Sequence, residues 1–450
     1  RVRRMTVSVF TGRRSSAKKS SLTQKRVFSA EKRYAFFPLT STLLPHIISS
    51  ISHFFIFSFA LLINDWERAN FLRRRIGLRI MLKLVSERNE GVKTARKSKT
   101  EDIVRRVGVI TAESVHLRDY PLRNPVAIFN ASLTIDGDYA VLYGRIVLGY
   151  FTYASAIAEI RVPIADIQSG KIKKHLNAEI AIIPDNNFDI WGCEDPRVCE
   201  VDNKIIMTYC GRTVNYFDAS KRADRTLPIA AIRQDVRGGG ERGSGESEEV
   251  ERGRRESDRW RKLCVFRLPM ELRDFLISDK DAFVSRIGSN LRLFHRIHMM
   301  DERFYLVISE IPEYALRAVG GISEVSVKNT ALVFEHADFE ERIGWGTPPI
   351  EVAAGEYLFL LHSVCKDKFY RVFAVLMNEK AEVTAVTPHY IMEPRENYEV
   401  YGDRPFTIFP CGAQVIDDEI IISYGAADSF IGIGSIDISE LLSVLDTGRF

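Results

Sequence analysis

The sequence predicts an all-β protein, a five-bladed β-propeller carrying a basic and apolar N-terminal extension. Three observations support this. A unit of turn, apolar strand and polar tip recurs five times. Its strands are rich in β-branched and aromatic residues and are bounded by Gly, Asn and Asp. After Arg105 helical periodicity is scarce, and only Val162 to Ile172 and Phe275 to Phe283 read as short helices.

The units run in order along the chain. Asp136-Gly137-Asp138 leads into Tyr139 to Tyr143 and ends at Arg145. Asp202-Asn203 leads into Lys204 to Tyr209 and ends at Arg212. Gly288-Ser289-Asn290 leads into Leu291 to Phe294 and ends at His295-Arg296. Ala354-Gly355 leads into Glu356 to Leu361 and ends at His362. Asp417-Asp418 leads into Glu419 to Tyr424 and ends at Asp428. A sheet-forming unit repeated at roughly 65-residue intervals suits radial repetition, which sets equivalent strand ends around one channel. The polar tips are then either separate exposed strand ends or one pocket, and the repeat alone leaves both readings open.

The 450 residues carry a net charge of +4, unevenly spread. The first forty hold roughly ten more basic than acidic side chains, so the rest is slightly acidic. A basic tail without a fold to present it gives no reason to expect a nucleic-acid partner. Leu43 to Ile63 has no charged residue and is long enough to span a bilayer. Pro45, two histidines and several serines oppose insertion. The expected organisation is therefore an extension over 1–104, separable from the working enzyme, and a catalytic propeller over 105–450. A cytoplasmic location is expected, with anchoring through 43–63 as the alternative. Residues 234–261 are Gly, Glu, Arg and Ser with almost no apolar side chain, which predicts a disordered, solvated insert in the propeller. The six cysteines form no CxxC pair or zinc-spaced cluster, so reduced, mostly buried thiols and no metal are expected.

Three clusters carry chemistry. Gly192-Cys193-Glu194-Asp195-Pro196-Arg197 sets an acid before a proline, whose ring disfavours the helical region and predicts an extended or turn conformation at Asp195. This is either a turn with an Asp/Arg pair or a presented acid. Glu393 to Glu399, Phe409-Pro410-Cys411-Gly412 and Tyr424 to Asp428 mix aromatic rings with carboxylates. A sugar site needs that mixture, because sugar faces stack on rings while hydroxyl pairs donate to carboxylates. Arg145, Arg212, Lys280, His295 and Arg296 lie at or near strand tips. Converging, they would bind a dianion such as phosphate.

Taken together, these motifs resemble glycoside hydrolase family 130, the β-mannoside phosphorylases and β-mannosidases. The matching segments, in order, are Phe129-Asn130 with Leu142 to Arg145, Gly192 to Arg197, Lys280-Asp281-Ala282 with His295-Arg296, Pro394 with Tyr398-Glu399 and Gly402, Phe409 to Gly412, and Tyr424 to Asp428. The resemblance spans Arg123 to Phe450 and implies a five-bladed propeller. It implies an inverting reaction with Asp195 as proton donor, the proton passing through a sugar hydroxyl. It implies a phosphate site at Arg145, Lys280 and His295, with Arg212 and Arg197 beside it. It implies sugar contacts from Asn130, Glu194, His362, Tyr398 and Asp428. Inorganic phosphate is then a co-substrate and no other cofactor is expected. A β-mannoside oligosaccharide is the partner, and a homo-oligomer is compatible with the family. The sequence departs from the family pattern at Gly144, at Phe283-Val284-Ser285, at Thr347, and at Leu361 and Ser363. These positions bear on acceptor choice and phosphate use.

Two alternatives remain. A hydrolase would need a second carboxylate to activate water, for which Glu341, Glu393 and Glu399 are the candidates. A non-catalytic sugar-binding propeller would lack the acid of the Gly192 to Arg197 segment, and here Asp195 is present.

Overall fold

The computed structural model describes residues 82–234, 260–317 and 320–450. Five sheets, each built on four antiparallel strands, follow one another along the sequence. From the axis outward, blade 1 is Ala127–Asp136, Tyr139–Val147, Ser155–Pro163 and Leu176–Ile182. Blade 2 is Cys193–Val201, Lys204–Arg212, Thr226–Arg233 and Trp260–Arg267. Blade 3 is Leu276–Ile287, Asn290–Met299, Phe304–Glu310 and Lys328–Phe334. Blade 4 is Glu340–Trp345, Glu356–Cys365, Tyr370–Asn378 and Val383–Val386. Blade 5 is Ile408–Ile416, Glu419–Ala426, Phe430–Asp437 and Arg105–Ile110.

The five sequence units are the hairpin turn and second strand of each blade. The turns need left-handed residues, and the sequence supplies them at Gly137 (φ +57°), Asp202 and Asn203 (+51° and +59°), Gly288 (+58°), Gly355 (+72°) and Asp417 (+53°). Ile164–Gln168 is a short helix as expected. Phe275 to Phe283 is not a helix, because Leu276–Ile287 is the innermost strand of blade 3. Its apolar residues imitate helical spacing because a bulge interrupts their alternation.

The ring closes through its ends. Arg105–Ile110 completes blade 5 by pairing antiparallel with Phe430–Asp437. Neighbouring blades are also stitched near the axis: Val198 N donates to Ser132 Oγ at 2.8 Å and Ser423 Oγ to the Ala131 carbonyl at 2.6 Å. Ser323–Ser326, which leaves the blade 3 stretch of chain, adds a parallel edge strand to blade 2. Between blades 3 and 4 the filling is aromatic. Phe294 stacks on Phe283 at 4.9 Å and meets Trp345 edge-on at 5.1 Å, a geometry that adds to plain area burial.

Residues 82–104, ahead of the first propeller strand, run against blades 3 and 4. Asn89 Nδ2 donates to the Val333 and Ala381 carbonyls. Arg96 makes a bidentate, fully buried pair with Glu340 at 2.7 and 2.9 Å. The apolar run 43–63 and most of the insert expected over 234–261 lie outside the described residues, while Trp260 and Arg261 already belong to a blade 2 strand. Among the described residues no helix is long and apolar enough to cross a membrane. All six cysteines are free thiols, five of them buried.

Candidate active site

Three innermost strands share one irregularity. Between Phe129 and Ser132, Glu194 and Arg197, and Lys280 and Phe283, the inner strand has one residue more than its partner. A left-handed residue absorbs each extra length: Asn130 (φ +49°), Asp195 (+51°) and Asp281 (+53°). Asn and Asp tolerate this region better than other residues with a Cβ. A bulge re-aims its side chain out of the strand's alternation. All three side chains line a cavity of about 490 Å³ at the axis, within the usual range for ligand pockets. Asp195 is thus left-handed within a bulge, not extended. Pro196 disfavours the right-handed helical region, and the bulge supplies the other way out.

The cavity floor is built on charge. Asp195 Oδ1 accepts from Asn130 Nδ2 at 2.7 Å and from an Arg145 amino group at 3.2 Å. The described residues place no hydrogen bond on Asp195 Oδ2. Glu194, behind Asp195 and buried, accepts from Arg145 at 3.0 Å, from Arg212 at 2.7 and 3.1 Å, and from Lys280 at 2.9 Å. Burial would raise its pKa, but Arg145, Arg212 and Lys280 together hold it well below the ordinary carboxylate range. The converse holds for the cations. Burial opposes the charge on Arg145 and on Lys280, yet Glu194 outweighs it and raises both. Glu194 offsets one of the three positive charges and an ionised Asp195 would offset a second, so the cluster is net positive in either state of Asp195.

Asp428 faces this cluster. Burial pushes its carboxyl up to about 6, although Arg404 and Arg145 pull it down. Gly425 makes room for the arrangement, since a methyl group there would overlap Asn130 Oδ1. Across the cavity Asp281 faces Arg296 at 2.5 Å, His362 at 3.4 Å and Arg197 at 4.0 Å. Burial raises the Asp281 pKa, but Arg296, His362 and Arg197 bring it down to about 2. Arg342 donates to the Tyr370 hydroxyl at 2.9 Å, and Arg404 lies over the Tyr370 ring at 5.2 Å.

Asn130, Arg145, Asp195, Arg212, Lys280 and Asp428 thus line one cavity, with Glu194 behind it. Four residues expected beside them do not line it. Arg197 is wholly buried and donates to the carbonyls of Gly346, Asp195 and Trp345 at 2.9, 2.9 and 3.0 Å. Each of its three guanidinium nitrogens donates to backbone, so it ties the Asp195 strand to blade 4, and its burial keeps it off the cavity surface. His295 is buried between Asp279 at 2.9 Å and Ser309 at 2.8 Å; its neighbour Arg296 takes the lining position, because successive strand residues face opposite sides. His362 is buried beneath Asp281 and packs on Phe409. The Tyr398 hydroxyl meets that of Tyr424 at 3.3 Å, away from the lining.

The expected hydrolytic bases are also elsewhere. Glu341 pairs with Lys368 at the surface. Glu393 is held by Thr100 and Arg371, both at 2.9 Å. Glu399 is buried and braced by Arg106 at 2.9 Å and Tyr424 at 2.7 Å. Asp281, Arg342, Arg404 and Tyr153 also line the cavity, although no motif read as a site marked them. A signal existed for Asp281: Lys280-Asp281-Ala282 repeats the charged-residue, aspartate, small-or-cyclic pattern of Glu194-Asp195-Pro196.

A net-positive chamber around a presented carboxyl group, walled by aromatic rings at a propeller axis, fits a carbohydrate-active enzyme. The family model for the beta-1,4-mannooligosaccharide phosphorylases matches residues 94–447. The chain belongs to glycoside hydrolase family 130. It is 24% identical over 336 residues to the beta-1,2-mannobiose phosphorylase of Thermoanaerobacter sp. (strain X514), covering 71% of this chain and 96% of that protein. A 1,2-beta-oligomannan phosphorylase of the same strain is 34% identical over 102 residues, which is 22% of this chain and only 34% of that relative's length. The solved beta-1,2-mannobiose phosphorylase of Listeria innocua, in complex with beta-1,2-mannobiose, superposes with a TM-score of 0.57 at 16% identity, covering 76% of this chain and 99% of that one. At that identity the likeness bears on the fold, which is shared.

Proposed function

We propose that this enzyme cleaves β-mannosides by inverting phosphorolysis, with Asp195 as the acid. One observation supports the reading above others: Asp195 is presented on a bulge directly beside a net-positive cluster of Arg145, Arg212 and Lys280. The acid and the anion site adjoin, as attack by phosphate on a bound sugar requires.

A terminal mannosyl group sits against Asn130, Asp195 and Asp428. Phosphate sits on the cations, which neutralise its charge and aim one oxygen at the anomeric carbon. That oxygen forms the new bond to C1 as the bond from C1 to the glycosidic oxygen breaks. The electron pair leaves on the glycosidic oxygen. Asp195 supplies the proton that oxygen needs, through a hydroxyl of the mannosyl ring, and ends as the carboxylate that Asn130 and Arg145 are placed to stabilise. The products are α-mannose 1-phosphate and the shortened sugar.

Product analysis on β-mannosides with and without phosphate tests the reading. Phosphate-dependent α-mannose 1-phosphate is expected. Free mannose formed regardless of phosphate would overturn phosphorolysis in favour of hydrolysis.

A further inference from the structure

Two loops at the cavity mouth expose aromatic rings that the reaction above does not use. Residues 148–154 join the second and third strands of blade 1, and residues 213–225 do the same in blade 2. They carry Tyr150 (75% exposed), Phe151 (89%), Tyr216 (52%) and Phe217 (71%). Tyr150 meets Phe151 edge-on at 5.9 Å, and Tyr216 meets Phe217 edge-on at 5.5 Å. Tyr153 joins the two loops, with its ring 5.9 Å from that of Tyr216. Scattered exposed apolar side chains need no explanation, but a contiguous group marks a contact surface.

The blade 2 loop and Tyr153 are held in place. The Asn215 side chain accepts from Phe217 N at 2.9 Å, and Arg225 donates to the Asp218 and Lys221 carbonyls at 2.6 and 2.7 Å. Arg212 lies 4.8 Å from the Tyr216 ring centre, and the Tyr153 hydroxyl donates to Asp403 at 2.6 Å. The platform is thus built onto the floor of the chamber, with its inner rings resting on the cations of the proposed phosphate site. Preorganisation of this kind lowers the ordering cost of binding.

We infer that Tyr150, Phe151, Tyr216 and Phe217 form a stacking platform for the acceptor-side sugars of β-mannosides of three or more residues, so that the enzyme favours oligosaccharides over disaccharides; this rests on the function proposed above. The mannosyl group that reacts occupies the polar floor beside Asp195. Every sugar beyond the bond to be broken must then leave through the mouth, which Tyr150, Tyr216 and Phe217 line, with Phe151 beyond Tyr150. Flat apolar faces with polar edges match pyranose rings, which have apolar faces and hydroxylated rims.

The test measures kcat/KM with phosphate for β-linked mannobiose, mannotriose and mannotetraose, on the full chain and on a Phe151→Ala/Phe217→Ala variant, with the molar mass of each in solution. In the unaltered enzyme kcat/KM is expected to rise about three- to tenfold per stacked sugar. In the variant the ratio of tetraose to biose should fall towards one, and Phe151→Trp/Phe217→Trp should restore it. An equal length dependence in both proteins overturns the platform, as does a dimer that the Ala variant dissociates while the length preference stays. Turnover of mannobiose with no length dependence in the unaltered enzyme overturns the platform alone. No turnover of any β-mannoside overturns the proposed function, and the platform with it.

Discussion

The Asn130 side chain donates to Asp195 Oδ1 at 2.7 Å, from one left-handed bulge to its counterpart on the next blade. Two irregularities in separate strands thereby fix a single carboxylate oxygen, leaving the other towards the chamber.

Asn130→Gly keeps a residue that accepts the backbone conformation and removes the donor. A hydrogen bond to a charged group contributes about 1.5–3 kcal/mol, so steady-state kinetics should show kcat/KM lower by roughly ten- to hundredfold. An unchanged rate with an intact fold would remove Asn130 from the site.

Asp195→Asn retains shape and loses the transferable proton. Positioned acids contribute about 10²–10⁴-fold, so turnover should fall at least that far while calorimetric titration still detects mannoside binding. Full activity in this variant would end the assignment of Asp195 as the acid.

Glu194→Gln leaves Arg145, Arg212 and Lys280 without their shared counter-charge. Breaking a buried ion cluster on one side costs about 3–5 kcal/mol, which denaturant unfolding will read. Arg197→Met should cost about 3 kcal/mol or more by the same measurement, since three backbone carbonyls lose their donor. Its surviving fraction should keep an unaltered KM for phosphate. A large rise in that KM would restore Arg197 to the anion site.

Asp428 gives a pH signature. Its folded pKa of about 6 lies above the ordinary value of 3.8, so the folded state binds the proton more tightly than the unfolded one. The stabilising effect of protonated Asp428 is complete below about pH 4 and is lost as pH rises through 6. Stability relative to Asp428→Asn should therefore fall by about 2–3 kcal/mol between pH 4 and 7. A difference flat across that range would contradict the raised pKa.

The sequence discloses the second strand of every blade, because each follows a turn whose left-handed residues are chemically distinctive. The innermost strands are harder to read, since a bulge at Asn130, Asp195 and Asp281 shifts the alternation by one residue. That shift hides a strand at Phe275 to Phe283. Facing within a strand is the second obstacle. His295 and Arg296 are adjacent and equally polar, and only the register assigns one to a buried Asp279 pair and the other to the cavity. Arg197 and Tyr398 lie within motifs that the resemblance brings to the site. Both are engaged in holding strands and loops, which no spacing in the sequence reveals. Arg342 and Arg404 come from blade 4 and the entry to blade 5, and the tertiary fold alone brings them to the chamber.

The pairing of Arg105–Ile110 with Phe430–Asp437 bears on how the molecule is made. The strand that seals the ring is synthesised before the other propeller strands, and its partner among the last. During synthesis that early edge has no permanent neighbour, and contacts so distant in sequence form slowly. Nor is there a working subset of blades, because blades 1, 2, 3 and 5 all place side chains around Asp195. A newborn chain therefore closes its ring, and completes the chamber around Asp195, only after its last strands have been made.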